Sequence, residues 1–262
     1  MSRTRRPSYY LAYTTPRDPM QRVALSRELL RLGCLRLHHS FWRVPRDSGK
    51  EALRAARRFE PLLFKRTREL IRGRVDKQKG LYEIGSLTLI AYRADSNRSD
   101  LRSRIYRMAH RAVSLRISKS MYLFPQLKSS RYATLRGRVI TPDEFYQRLV
   151  SSGVEVHRLT SLRLVYPQSH LGVLERFAQT KIHDCQALIN SAHSLRSDLD
   201  SLSISSAQFS KRLSNLRMRF SRLRRVSYLL YRLYGIDLRS HLRKIYAAIA
   251  GARNFHGVVV RK

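Results

Sequence analysis

Lys128, Arg131, Arg136 and Arg138 stand around Tyr132 in the stretch Gln126–Val139. Cations of this kind bind phosphate oxygens, and an aromatic ring among them can stack on a base or wedge beside one. A second set, Arg212, Arg217, Arg219, Arg222, Arg224 and Arg225, flanks an apolar helical seam nearer the C-terminal end. Coiled-coil flanks are normally charged with both signs, so a face of one sign predicts a polyanionic partner. A third run, Arg66–Lys79, holds Arg68, Arg72, Arg74, Lys77 and Lys79. It reads as a helix end followed by a turn, where cations are stabilised with or without a ligand.

Other chemistry has little to work with. His38 and His39 alternate across an expected strand, and His183 precedes Cys185 by two residues on an expected helix. That spacing sends the last two side chains in different directions, so neither pair predicts a metal site. No Ser/His/Asp order, paired carboxylates, HExxH motif or glycine-rich phosphate loop occurs in its required context. The expectation is a protein that is not an enzyme, with no cofactor and no metal. Cys34 and Cys185 lie far apart in sequence, which fits a reducing compartment and excludes a disulfide framework.

The 262 residues carry 53 Lys+Arg against 18 Asp+Glu, a net charge of +35. Such a charge repels itself and calls for a polyanion to neutralise it. Arginine outnumbers lysine by 43 to 10; guanidinium forks grip phosphate oxygens in pairs and stack on bases, which ammonium groups do not. Nucleic acid is the expected partner, with DNA favoured over RNA. An anionic membrane surface is the alternative polyanion, but no stretch approaches the ~20 apolar residues of a membrane span. The N-terminal Met1-Ser2-Arg3-Thr4-Arg5-Arg6 leads into no apolar run of signal-peptide length, so a cytoplasmic location is expected.

The elements that must position these residues show a weak internal repeat, residues 8–46 and 87–126. Each copy opens on an apolar run, Tyr9 to Tyr13 or Leu87 to Tyr92, that predicts a buried strand. An amphipathic helix follows, with Val23, Leu25, Leu29 and Leu30 or Leu101, Ile105, Met108 and Ala109 as its apolar positions. Each closes on a strand ending in proline, Phe41–Pro45 or Met121–Pro125. In this alignment Tyr9, Leu11 and Tyr13 correspond to Leu87, Leu89 and Ala91, and the outward aromatics require the two sheets to pack on each other or across a dimer. A long helix is expected over 50–72, and another after Thr141-Pro142, where Thr141 caps and Gly153 stops it. Val154–Val156 and Leu162–Val165 read as strand. Residues 81–92 could close the first half, open the second, or hold two adjacent short strands.

From about 169 the apolar spacing becomes heptad-like, from Leu171 to Leu202 and from Phe209 to Leu233, predicting a coiled-coil-like helical hairpin. Gly235 breaks it, and Asp237 can cap a short third helix. Residues 169–207 hold three Lys/Arg against four Asp/Glu, while 208–262 hold fourteen against one. The expected class is α+β: tandem ferredoxin-like halves of the β-α-β-β-α-β kind, then the hairpin and third helix. The expected divisions are 1–80 (first half with a basic N-terminal tail), 81–168 (second half), and 169–262 (basic hairpin and tail).

The opening SYYLAYTTPRDPMQRVALSRELLRLGCLRLHHSFWRVP resembles the ferredoxin-like module of small CRISPR adaptation nucleases and PaaX-type repressors, and resembles ChrB-like chromate-resistance regulators more closely. An apolar strand ending in a proline turn, an arginine-bearing helix closing on Leu32-Gly33, and a strand ending Trp42-Arg43-Val44-Pro45 carry the likeness. The later YLFPQLKSSRYATLRGRVITPDEF is similar to that family's second half. The resemblance implies a DNA-binding regulator that dimerises through its ferredoxin-like sheets. The nuclease relatives place a metal-binding aspartate where this chain has Thr14 and Thr15; Asp95 follows the second copy's strand, but a lone carboxylate builds no two-metal site. The rival readings are an RNA-bound structural or ribosome-associated protein, and a degenerate nuclease.

Overall fold

Ala12-Tyr13 and Ala91-Tyr92 stand where the first strands of two successive β-α-β-β-α-β units run out, in the computed structural model, which describes residues 9–76, 78, 81–94, 97–127, 139–201 and 203–259. The side chains of 255–259 are outside that description. The first unit runs β1 (Tyr9–Ala12), α1 (Pro19–Arg31), β2 (Leu35–His38), β3 (Phe41–Val44), α2 (Gly49–Ala55) and β4 (Leu62–Arg66). The second runs β7 (Leu87–Arg93), α3 (Ser99–His110), β8 (Leu115–Ser118), β9 (Met121–Pro125), α4 (Pro142–Val150) and β10 (Glu155–Leu164). Between them β5 (Arg72–Asp76) and β6 (Leu81–Gly85) form a separate two-stranded hairpin. Residues 81–92 therefore hold two adjacent short strands, the third of the readings left open by the sequence.

The eight remaining strands make one antiparallel sheet in the order β2-β3-β1-β4-β10-β7-β9-β8. Numbered within its own half, each half reads 2-3-1-4, and the fourth strands pair with each other through Leu162↔Arg66 and Leu164↔Phe64. Even the irregularities recur: the ladder slips between Arg36 and His38 in one half and between Arg116 and Ser118 in the other.

Two expectations need correction. Ala12 pairs with Phe41 and Ala91 with Met121, so Tyr9, Leu11 and Tyr13 correspond to Thr88, Ile90 and Tyr92, one residue later than the sequence alignment had them. The run Leu87–Tyr92 is buried throughout, so it lacks the polar alternation that fixes register. Nor does a helix span 50–72. Helix α2 stops at Ala55, Glu60 adopts a left-handed φ of 49°, Pro61 follows, and Leu62-Leu63-Phe64 enters the sheet as buried strand. A proline after a left-handed residue ends a helix, and the apolar run beyond it is too short to be another.

Helices cover one face of each half. Leu11, Tyr13, Trp42, Val44 and Leu63 pack with Leu25 and Leu29 of α1 and with Ala52 of α2. The counterpart core joins Ile90, Tyr92, Tyr122 and Phe124 to Leu101 and Ile105 of α3 and Phe145 of α4. Trp42, fully buried, donates its indole N–H to the Tyr13 hydroxyl at 3.0 Å; Tyr122 stacks on Tyr92 at the equivalent place. The opposite face is buried too, at Ala12, Phe41 and Phe64 in one half and Leu89, Ala91, Met121 and Leu123 in the other. The halves cover it for each other. The His38 ring bonds the Tyr92 carbonyl at 3.0 Å, and the Thr14 hydroxyl donates to the Ile117 carbonyl at 3.2 Å. The sheet thus folds over at the β4–β10 seam, where Ser161 takes a φ of 56° beside the bulge in β10.

The chain divides into two compact units, Met1–Arg136 with Ile140–Val173, and Gly137–Val139 with Leu174–Lys262. The second unit contains most of α5 (Pro167–Asp200), with α6 (Ser206–Tyr234) and α7 (Arg239–Val259). Its core joins Cys185, Leu188, Ala192 and Leu195 to Phe209, Leu213 and Leu216, and to Ile245 and Ile249. Ser205 and Gln208 form a capping box at the start of α6, and Gly235 ends it in the left-handed region at φ 64°. Asp237 accepts from the Arg239 N–H, as its capping role requires. The third helix is 21 residues, not short.

Candidate nucleic-acid interface

Helix α1 begins at Pro19 with Asp18 accepting from the Met20 N–H, and it buries Leu25 and Leu29. Arg22 and Arg27 are left on its outer side. With Arg36 on β2 they line a cleft of about 910 Å³, closed by Ser118, Lys119 and Ser120 from the β8–β9 turn of the other half. Helix α3 buries Leu101, Ile105 and Met108 and leaves Arg102 and Arg107 outside. With Arg116 on β8 they line a second cleft, of about 900 Å³, reached by His38 and His39 from the β2–β3 turn of the first half. Each cleft takes its helix from one half and its turn from the other. Arg22 and Arg102, Arg27 and Arg107, and Arg36 and Arg116 are equivalent pairs, each 80 residues apart. His39 and Lys119 line both clefts.

Local bonds hold the cations in place. Arg116 donates to the carbonyls of Ser118 and Lys119, each at 3.1 Å, which fixes the turn that carries the Lys119 ammonium. Arg36 donates at 2.8 Å to Nδ1 of His39, so the neutral ring keeps its proton on Nε2. Burial lowers the His39 pKa, and the guanidinium groups of Arg36, Arg93 and Arg22 lower it further. His38 is pushed down to about 4, first by burial and then by His39. Among the described residues no carboxylate lines either cleft. Each is an open concavity lined by several cationic side chains, a charge distribution suited to an extended polyanion.

Of the residues singled out from the sequence, Lys128, Arg131, Tyr132, Arg136 and Arg138 lie outside the described residues. Arg217, Arg219, Arg224 and Arg225 are exposed on α6. Arg212 is exposed on α6 as well and bonds Asp198 of α5 at 2.8 Å, which ties the two arms of the hairpin together. Arg222 is half-buried with its guanidinium 3.0 Å from the Met218 sulfur. In the third run, Arg66 ends β4, and Arg72 and Arg74 lie on β5, so strands replace the expected helix end; Lys77 and Lys79 fall outside the described residues. The cleft arginines were missed by the sequence reading. Their recurrence at one offset was the available signal.

Cys34 and Cys185 are unpaired and buried, and burial pushes both thiols up to about 11. Among the described residues no group of three or more metal-ligating side chains occurs, and no helix is long and apolar enough to cross a membrane. Compared with known proteins, the sequence matches no protein-family model and no curated protein.

Proposed function

We propose that this chain is a nucleic-acid-binding protein that grips the phosphate backbone, acting as a DNA-binding regulator or architectural protein in the cytoplasm without catalysing a reaction. The observation that carries the reading is the pair of repeat-related clefts, each with several arginines and no carboxylate among its described lining residues. Guanidinium groups set along a cleft can make charge-assisted bonds to phosphate oxygens, for which a facing carboxylate would compete. In our reading the strand order 2-3-1-4 in both halves makes them tandem ferredoxin-like domains, in keeping with the resemblance to ChrB-like regulators.

The excess of arginine, 43 against 10 lysines, favours a second reading as an RNA-bound structural protein. Nucleic acid carried by protein purified from its host, digested separately with DNase and RNase, distinguishes the two. The shared claim is tested by titration with a duplex of mixed sequence. Release of condensed counterions should lower the affinity about 10³-fold or more between roughly 50 and 200 mM salt. A flat titration overturns the proposal.

A further inference from the structure

Helix α6 carries a second pattern beside its arginines. Arg217, Ser221, Arg224, Tyr228 and Tyr231 follow one another at alternating steps of four and three, which sets them in one line along the helix. The line is about 20 Å long at the rise of an α-helix. Its members face water apart from half-buried Ser221, with Tyr228 60% and Tyr231 48% exposed, while the core side of the helix buries Leu216, Leu223, Val226 and Leu230. Arg225 and Arg232 flank the line and are exposed.

Helix α7 repeats the combination. Arg239, Arg243 and Tyr246 stand at i, i+4 and i+7, all exposed, with Tyr246 at 66%. Two contacts join the helices' aromatic groups: the Arg239 guanidinium lies 5.4 Å from the Tyr231 ring centre, and Tyr246 meets Phe220 at 6.5 Å. Asp237 is the one acidic residue from 208 to 262, and its carboxylate is bonded by Arg239. The remaining arginines of these lines have no acidic partner on their own helices. Isolated exposed tyrosines need no explanation, but three set into arginine lines on two adjoining helices combine a ring surface with unbalanced positive charge.

We infer that this α6–α7 surface binds single-stranded nucleic acid, with Tyr228, Tyr231 and Tyr246 stacking on unpaired bases while Arg217, Arg224 and Arg243 hold the intervening phosphates. A duplex keeps its bases stacked on each other and offers these rings nothing beyond its terminal pairs. A bare anionic membrane offers charge but no base. The inference deepens the proposed function, on which it rests, by assigning this surface a strand with exposed bases.

The test uses the full chain, a labelled oligo(dT) strand and a blunt duplex of equal length, with affinities measured by fluorescence anisotropy over a range of salt. The variants are Tyr228→Ala/Tyr231→Ala and Tyr228→Phe/Tyr231→Phe; circular dichroism and thermal melting establish that the substituted helices stay folded. Loss of stacking should weaken strand binding about tenfold or more per tyrosine, with the salt slope unchanged and duplex affinity unaltered. The phenylalanine pair should retain wild-type strand affinity. Equal losses on strand and duplex, or no loss on the strand, overturn this inference while leaving the phosphate reading intact. Wild-type protein that binds neither strand nor duplex overturns both, and binding only to vesicles containing anionic lipid does the same.

Discussion

His38 shows what the junction between the two halves does to a single side chain. It is 7% exposed, bonds the Tyr92 carbonyl, and lies against the rings of His39 and His157, with Glu155 nearby. A carbonyl only accepts, so Nε2 carries the proton, and Nδ1 finds no hydrogen-bond partner among the described residues. Burial and the neighbouring histidines depress its pKa to about 4; the Tyr92 bond and Glu155 oppose that shift without reversing it. The unfolded chain takes up this proton as pH falls through about 6.5, whereas the native state resists until about 4. The contribution of His38 to stability is therefore complete above the unfolded value and is lost as pH falls from there to about 4. Urea midpoints measured from pH 7 down to 4.5 should fall, and His38→Gln should flatten that fall. A variant with the wild-type slope would show that other groups control it.

At the scale of elements, the clefts and the hairpin make separable predictions. Arg27→Gln with Arg107→Gln removes one cation from each cleft without touching the cores of α1 or α3. Each change should lower the salt slope for duplex binding by roughly one, and the two should act alike because they are equivalent in the repeat. Arg217→Gln, Arg219→Gln and Arg224→Gln together should weaken binding without lowering the melting temperature. Unchanged duplex affinity in the cleft pair would remove the clefts from the interface.

Much of this was legible in the sequence. Thr141 and Pro142 marked the start of α4, Gly235 the end of α6, and the heptad spacing the hairpin, because caps and periodicity are local signals. The register of β7 was not, since a strand buried on both faces shows no alternation; the shared Ala-Tyr pair was the better anchor. Helix α2 and β4 were merged because Leu62 and Leu63 continue a helical spacing from Leu53 and Phe59, although Pro61 interrupts it. The clefts needed the fold, which brings a turn at Lys119 beside a helix at Arg22.

For the molecule as a whole, the net charge of +35 is barely relieved from within. Ion pairs among the described residues include Arg158–Asp143, Arg163–Glu83, Lys181–Asp184, Arg212–Asp198 and Arg239–Asp237, but 18 acidic side chains against 53 cationic ones leave most of the positive charge without a carboxylate to meet. Lys181 and Asp184 are themselves buried or nearly so, and serve the interior of their own unit. Self-repulsion among the rest costs stability, and added salt screens it over about 10 Å at 0.1 M. The free protein should therefore melt at a higher temperature as salt is raised from low concentration, while its hold on a duplex weakens. Thermal melts and binding titrations in the same buffers would show the opposed trends. A melting temperature that falls with salt would mean that the surface charges are mutually compensated after all.

The pairing of β4 with β10 also sets how the clefts behave in dilute solution. Two identical halves associating from separate chains would part when diluted, and every change in one cleft would be copied in the other. Covalent linkage removes both constraints. The two clefts stay at a fixed effective concentration however scarce the protein becomes, so a ligand long enough to reach both gains avidity without waiting for assembly. Each cleft can also diverge alone, and the pair already has: where one helix offers Ser26, the other presents Tyr106, 54% exposed and edge-on to His110. Two related clefts on one chain can thus differ as a front and a back, and an asymmetric ligand reaching both would seat in one direction.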